Sequence, residues 1–513
     1  MKRISAIFSL AVSITAAVAQ TNLPMVWDTN AVVPPPTNVV PGLNTNETRA
    51  LTLEDCIAEA LKHNFDVQVE RYAPEISLYD LRGAYGGYDP TLSVSGTHNY
   101  NVRPGGLSSD LIPLPATTSK SDSFNGGIVG ALPTGLQYDF TGRVTDTTTA
   151  ENSGGNIGVS LTQPLLRNFW VDGTRLSISV AKNRLKYSEQ ALRQQFITTV
   201  TAVENAYYEL IYAREFVQVQ QQAMELAGKQ LGDDRQRVQI QVLAERGGTI
   251  EQDEAQEAQS RANLIGAQFS LAKAQNTLKN LITDSYSQWH DIDVEPVATL
   301  AATRQLFDVQ DSWNKGLRQR PDLKQAKLDV EQQGFQLKYS FNQIFPELDL
   351  VGSYGFNGQG NEFHDVFGQI NEGNAPFYSY GAQLSIPLSN VKARNSYKAN
   401  KATGEQILLR LKQLEQNVMV AIDNAVKQAQ SSYESVDATR QARTYAEVAL
   451  NAEQGKYSAG KSTTFIVLQL QNNLTSARSQ EIRALADYNE ALVNLALQEG
   501  DTLERRKIDL KEK

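Results

Sequence analysis

Between Thr174 and Leu243 no proline interrupts the chain, and apolar residues recur at alternating steps of three and four. From Leu185 those steps fall on Glu189, Leu192, Phe196, Thr199, Val203, Ala206, Leu210, Ala213, Val217, Gln220, Met224, Ala227 and Leu231, the spacing of a coiled-coil seam. At 1.5 Å per residue, roughly 70 helical residues make a rod on the order of 100 Å long, far beyond the width of an ordinary globular domain. A chain built on such a rod is elongated, and the rod has to bridge something.

The rod is expected to turn back on itself. Arg246-Gly247-Gly248-Thr249 permits a sharp reversal, because adjacent glycines carry no steric penalty in left-handed backbone. Ile250 to Leu281 then resumes a polar, alanine-rich helical pattern. A shift of 256 positions superposes Leu61 on Leu317, Asp66 on Asp322, Pro90 on Pro346, Leu92 on Leu348 and Gly96 on Gly352. Further on, a shift of 223 pairs Gly158 with Gly381, Pro164 with Pro387, Leu185 with Leu408, and Ala202-Val203 with Ala425-Val426. The chain is therefore two repeats, with about 33 extra residues in the first. The second rod is expected from about Lys392 to Tyr457, turning at Ser458-Ala459-Gly460-Lys461 and returning through Phe465 to Glu499.

Between the helices the period changes to two. After Asp89-Pro90, Leu92, Val94 and Gly96 alternate with Thr91, Ser93, Ser95 and Thr97, which is strand chemistry. A polar loop from Arg103 to Ser123 precedes a hairpin of Ile128–Leu132 and Leu136–Val144 around Pro133-Thr134-Gly135. Gly154–Leu161 alternates again until Pro164 ends it. Upstream, Thr52 is a candidate N-cap for a short helix pair over 51–81.

Lys2-Arg3, the apolar run Ile4–Val18 and Ala17-Val18-Ala19 have the three parts of a signal peptide, with cleavage expected after Ala19. The proline-rich stretch that follows, with Pro34-Pro35-Pro36, reads as an extended tether. The expected order is a signal over 1–19, a tether over 20–50 and a first repeat over 51–283, with strands at about 90–162 and a helical hairpin over 174–281. A linker over 284–304, a second repeat over 305–500 (strands at about 346–387, hairpin 392–499) and a charged tail over 501–513 complete it.

No later apolar run reaches the roughly 18 residues of a spanning helix, so membrane contact would need a β-barrel or the surface. The formal charge of −9 and the lack of a basic stripe exclude a nucleic-acid partner. His63, His98, His290 and His364 are scattered without ligand spacing. The single cysteine, Cys56, reads as a buried small hydrophobe. No catalytic set, metal site or cofactor motif is visible, so no enzyme is expected.

Strands this few cannot close a barrel, and helices this polar cannot bury in one globule. Segregation of Ser, Thr, Gly and Asn from aliphatic residues suits a wall with lipid outside and water inside. Several copies in a ring would remove the open sheet edges. A soluble sandwich, or a secreted or periplasmic structural coiled-coil protein without a pore, is the alternative reading.

Leu51-Thr52-Leu53-Glu54-Asp55 with Ala60-Leu61 and Asn64, Asp89-Pro90-Thr91-Leu92, Gln163-Pro164-Leu165-Leu166-Arg167, Arg320-Pro321-Asp322-Leu323 and Tyr457-Ser458-Ala459-Gly460-Lys461-Ser462-Thr463 together resemble the TolC-like outer-membrane efflux proteins. The resemblance runs from Leu51 to about Gly500. It implies an α+β membrane protein: a homotrimer whose strands close one outer-membrane β-barrel, continued by a periplasmic α-helical coiled-coil barrel. It also implies docking, through the helix tips, to a periplasmic adaptor protein coupled to an inner-membrane pump of RND or ABC type. Gly247 and Gly248 at the first tip, and Ser458, Gly460, Lys461 and Ser462 at the second, are then the adaptor contacts. The acidic positions that narrow the entrance in such families are occupied here by Ile466 and Gln469. Glu251, Asp253 and Glu254 could supply negative charge instead, or form an ordinary solvated helix face.

Overall fold

The computed structural model describes residues 48–107, 113–147, 152–239 and 249–508. The signal segment, nearly all of the tether, Gly247 and Gly248 lie outside the described residues.

A short strand, β1 (Thr48–Leu51), leads into helices α1 (Leu53–His63) and α2 (Phe65–Tyr85). Thr52 caps α1 through a capping box with Asp55, satisfying donors that the first turn leaves open. Strands β2 (Thr91–Arg103), β3 (Gly106–Leu107), β4 (Pro113–Leu114), β5 (Thr117–Ala131), β6 (Gln137–Thr147) and β7 (Asn152–Pro164) follow. The first hairpin of rods is α3 (Gly173–Gln239) and α4 (Thr249–Ile282), followed by α5 (Tyr286–Trp289) and β8 (Asp293–Pro296). The second repeat runs α6 (Val309–Gln319), α7 (Pro321–Asn342), β9 (Glu347–Gly360), α8 (Phe363–Glu372), β10 (Pro376–Ser385), α9 (Val391–Ser458) and α10 (Thr464–Glu499), with a last turn, α11 (Thr502–Arg505). Both ends of α1 reappear 256 residues later as those of α6, so the duplication read in sequence is also structural.

The coiled-coil seam is what α3 buries: Phe196, Thr199, Val203, Ala206, Leu210, Ala213, Gln220, Ala227 and Leu231 are all inside. Midway along, α3 buries a second stripe that the seam does not include. Ile197, Val200, Tyr207 and Ile211 pack with Cys56, Ile57 and Ala60 of α1 and with Leu278 and Ile282 of α4. Tyr207 donates its hydroxyl proton to the Leu51 carbonyl at 3.1 Å and accepts from the Ala298 amide at 3.2 Å. Each fully buried aliphatic side chain here contributes about 1.5–3 kcal/mol. This equatorial core clamps α3 near its mid-length against the last turns of α4.

Three stretches differ from the sequence reading. The expected linker carries β8, which pairs in parallel with β1 inside the expected tether boundary; Val294, between Asp293 and Glu295, is fully buried there. The charged tail docks: Leu503 is buried, Ile508 packs on the equatorial core and Arg506 pairs with the buried Glu204. The loop expected to last until Ser123 ends sooner, because Thr117–Ser123 pairs with β2. Hydroxyl-rich residues on both faces hide the period of two there, although the backbone hydrogen bonds are made.

Strands β10, β9, β7, β6, β5 and β2 form, in that order, one six-stranded antiparallel sheet. The first repeat gives four of them and the second two. The extra residues are thus the β5–β6 hairpin, and it lies within the same sheet; Gly135, at φ 88°, makes its turn. Pairing sets Leu92, Ile128, Phe140, Val159, Tyr354 and Tyr378 side by side on one face. The opposite face carries Ser95, Asn125, Arg143, Asn156 and Asn357 in one row, and Ser353 and Ser379 share a 2.7 Å hydrogen bond on it. Helix α8 lies across the apolar face. At Gly358 any Cβ would strike the Val366 carbonyl of that helix, so only glycine admits it so close.

Candidate functional site

Two regions set how the sheet and its rods are held: the elbow where strands become rods, and the ends of the two helical hairpins. At the elbow Pro164 ends β7, and the Leu165 amide donates to the Leu348 carbonyl at 2.8 Å. Arg167 donates to the Gln343 side chain at 2.8 Å, and the Asn168 amide to Asn342 at 2.8 Å. The Gln-Pro-Leu-Leu-Arg motif thereby fixes the angle between the first-repeat strands and their rod against the end of α7. A cavity of about 620 Å³ opens at this elbow, lined among others by Tyr88, Arg167, Asp172, Tyr339, Glu347 and Asp349.

At the tips the seam of α3 ends on a charge. One step of three past Leu231 is Asp234, fully buried. Its carboxylate accepts from the Tyr457 hydroxyl at 2.6 Å, from Thr464 at 3.0 Å and from Gln230 at 2.9 Å. Tyr457 closes α9 and Thr464 opens α10, so this one carboxylate ties the tip of the second hairpin to the first. The Arg237 guanidinium lies 4.7 Å from the Tyr457 ring. Burial and the hydrogen bond to Asp234 push the Tyr457 hydroxyl up to about 12.

Asp253 of α4 faces the same carboxylate. It is 1 % exposed, and no donor reaches either of its oxygens. Desolvation, then the charge of Asp234, push it up to about 7. Two buried carboxyls in contact cannot both be charged cheaply, so near neutral pH this pair holds a proton between them.

The second tip is tightly wound. Gly460, at φ 72°, lets the Lys461 amide reach back to the Lys456 carbonyl at 2.9 Å and its own amide reach Tyr457 at 3.0 Å, a glycine-dependent helix stop. Ser458 donates to the Gly455 carbonyl, and Ser462 to Glu453, which also pairs with Lys456. Above the tips, Gln256 of α4 and Asn472 of α10 exchange hydrogen bonds of 2.8 and 3.0 Å. Higher still, Arg483 of α10 binds Glu209 of α3 at 2.6 Å. Among the described residues no cluster of three or more His, Cys, Asp or Glu is placed to hold a metal ion, and no helix is long and apolar enough to cross a membrane.

Residues 313–500 match the family model described as outer membrane efflux protein. The chain is 22% identical over 336 residues to outer membrane efflux protein BepC of Brucella suis, covering 65% of this chain and 69% of that one. It is 23% identical to outer membrane protein TolC of Vibrio cholerae, covering 69% and 78%. With nodulation protein T of Rhizobium leguminosarum it is 25% identical, but spans only 39% of that protein's length. Among solved structures, the outer-membrane channel OprN superposes with a TM-score of 0.66 at 15% identity, over 87% of this chain and 89% of the other. VceC of Vibrio cholerae gives 0.65 at 18% identity, over 87% and 96%.

Residues 313–500 therefore carry an outer membrane efflux protein domain, and the chain as a whole has the fold of the outer-membrane channels.

Within this TolC-like frame the sequence-derived site residues divide. Ser458, Gly460 and Lys461 are exposed at the second tip, with Ser462 half-buried. Ile466 and Gln469 are exposed on the first turns of α10, beside an exposed Phe465. Of the three acids, Glu251 is exposed, Glu254 is held by Arg235 at 2.6 Å, and Asp253 points inward to Asp234. The sequence reading missed Asp234, Tyr457 and Thr464 as a cluster. The available signal was a carboxylate on the next step of an otherwise apolar seam.

Proposed function

We propose that this TolC-like protein is the passive exit duct of a tripartite efflux or type I secretion system. Three copies close one barrel in the outer membrane, and their rods form a tunnel across the periplasm. An inner-membrane pump, of RND or ABC type, does the work; the duct supplies a path and a gate and catalyses nothing. A periplasmic adaptor docks on the tips at Gly247, Gly248, Ser458, Gly460, Lys461 and Ser462. Glu251 and Glu254, with the uncharged Ile466 and Gln469, line the entrance, while Asp253 acts from inside the tip. The observation that carries the reading is a sheet with one lipid-compatible and one water-compatible face, open at both edges and continuous with two hairpins of rods on the order of 100 Å long. A structural coiled-coil protein has no use for such a sheet. Reconstitution of the mature protein in planar bilayers tests it: stepwise channel currents and heat-modifiable migration are expected, and a non-conducting soluble monomer overturns it.

A further inference from the structure

We propose that the β5–β6 hairpin widens the barrel, so that each copy supplies six adjacent wall strands and three copies enclose an eighteen-stranded lumen; this rests on the trimeric-duct reading above. In the strand order, β5 and β6 lie between β2 and β7. They cannot leave the wall without breaking the sheet. The edges that remain are β2 and β10, which run in opposite directions: β2 leaves the helices and β10 returns to them. Every residue of β2 is exposed, as are nearly all of β10, and proline falls only at the first residue of β10. An unpaired edge of this length is untenable in lipid, where water cannot satisfy the backbone. The occupant that fits each edge is the opposite edge of a second copy of this chain, antiparallel like every other pair in the sheet.

Register follows from the faces. A slip of one residue would turn the apolar side of β10 into the lumen. Setting the helix-proximal ends level places Ser385 beside Thr91 of the next copy, which brings Leu384 against Leu92, Ala382 against Val94 and Tyr380 against Gly96, each on the apolar face. Within one chain Tyr378 shares a row with Leu92; the junction puts it beside His98, a stagger of six residues over six strands. Equal stagger and strand number give a tilt of about 35°, the slope at which transmembrane barrels close. At about 4.8 Å between strands, eighteen of them make a backbone ring of roughly 34 Å diameter, against roughly 23 Å for twelve. The lumen is lined mostly by hydroxyl and amide side chains, with Arg143, Asp139 and Asp349 on the same face, which suits bulky, polar cargo.

The test uses the full-length protein with Cys56→Ala. Ser95→Cys combined with Gly381→Cys should oxidise to covalent trimers, while Ser95→Cys with Ala382→Cys, on opposite faces, should not; crosslinking confined to the second pair would overturn the register. Nitroxides on Gln383→Cys should lie about 29 Å apart across the three-fold ring, against about 20 Å if only four strands per copy form the wall. A conducting channel with the shorter spacing defeats the widening and leaves the duct reading intact. A protein that never conducts defeats the duct reading.

Discussion

Substituting Tyr457→Phe removes one hydroxyl and one 2.6 Å hydrogen bond to a fully buried carboxylate. A hydrogen bond to a charged group is worth about 1.5–3 kcal/mol, and Asp234 keeps only Thr464 and Gln230 as donors. At 1.4 kcal/mol per decade, local opening of the tip should become roughly 10- to 150-fold more frequent. Amide hydrogen exchange over 453–470 and 230–239 reads this directly, with the Val203–Leu210 segment as internal control. Asp253→Asn should act in the opposite sense, because it removes the like charge and offers Asp234 an amide donor. The pH sign follows from the raised carboxyl. Asp253 titrates at about 7 in the folded tip against 3.8 in model compounds, so the folded state holds more protons between those values. Tip stability therefore falls as pH rises toward 7 and levels off above it. Wild-type opening, corrected for intrinsic exchange chemistry, should rise from pH 5 to pH 7.5, and the rise should vanish in Asp253→Asn. Unchanged exchange in Tyr457→Phe, or acceleration as large at Val203 as at the tip, would refute the reasoning.

Other outcomes follow from the same geometry. Val159→Arg, on the apolar face, should cost about 2–4 kcal/mol of folding into lipid vesicles, while its neighbour Ser160→Arg, on the polar face, should cost far less. Neutralising Glu251 and Glu254 together should lower cation preference in bilayer recordings; unchanged selectivity would remove them from the entrance. Arg483→Ala strips a cation from Glu209, Asp487 and Glu490, a third-exposed cluster worth about 1 kcal/mol. Glu490 is pushed up to about 7 by burial, so thermal denaturation should show the larger loss at pH 8, where that carboxyl is charged, than at pH 6.

The rods were legible because Phe196, Val203, Leu210 and Leu231 keep one seam over most of α3, and a seam is a local signal. The hairpin was legible because Ile128 and Leu136 flank Pro133-Thr134-Gly135. Other features are written in contacts rather than in period. Val294 alternates with only one other apolar residue, Ile292, before Pro296 intervenes, too short a pattern to mark a strand, and its pairing with β1 makes one of it. Thr117–Ser123 has no apolar face, and becomes strand through β2. The tip cluster spans Asp234, Asp253, Tyr457 and Thr464, from four helices, and no spacing rule links them. That the β5–β6 hairpin joins the wall depended on strand order, which sequence alone leaves open.

The proposed duct requires the sheet to be a membrane wall with lipid on one side and water on the other. Environment-sensitive labels placed singly from Asn156 to Leu161 in the reconstituted protein test this most directly. Strict alternation is expected: labels at 157, 159 and 161 quenched by nitroxide lipids, and those at 156, 158 and 160 quenched only by aqueous reagents. Water access at all six positions would contradict it.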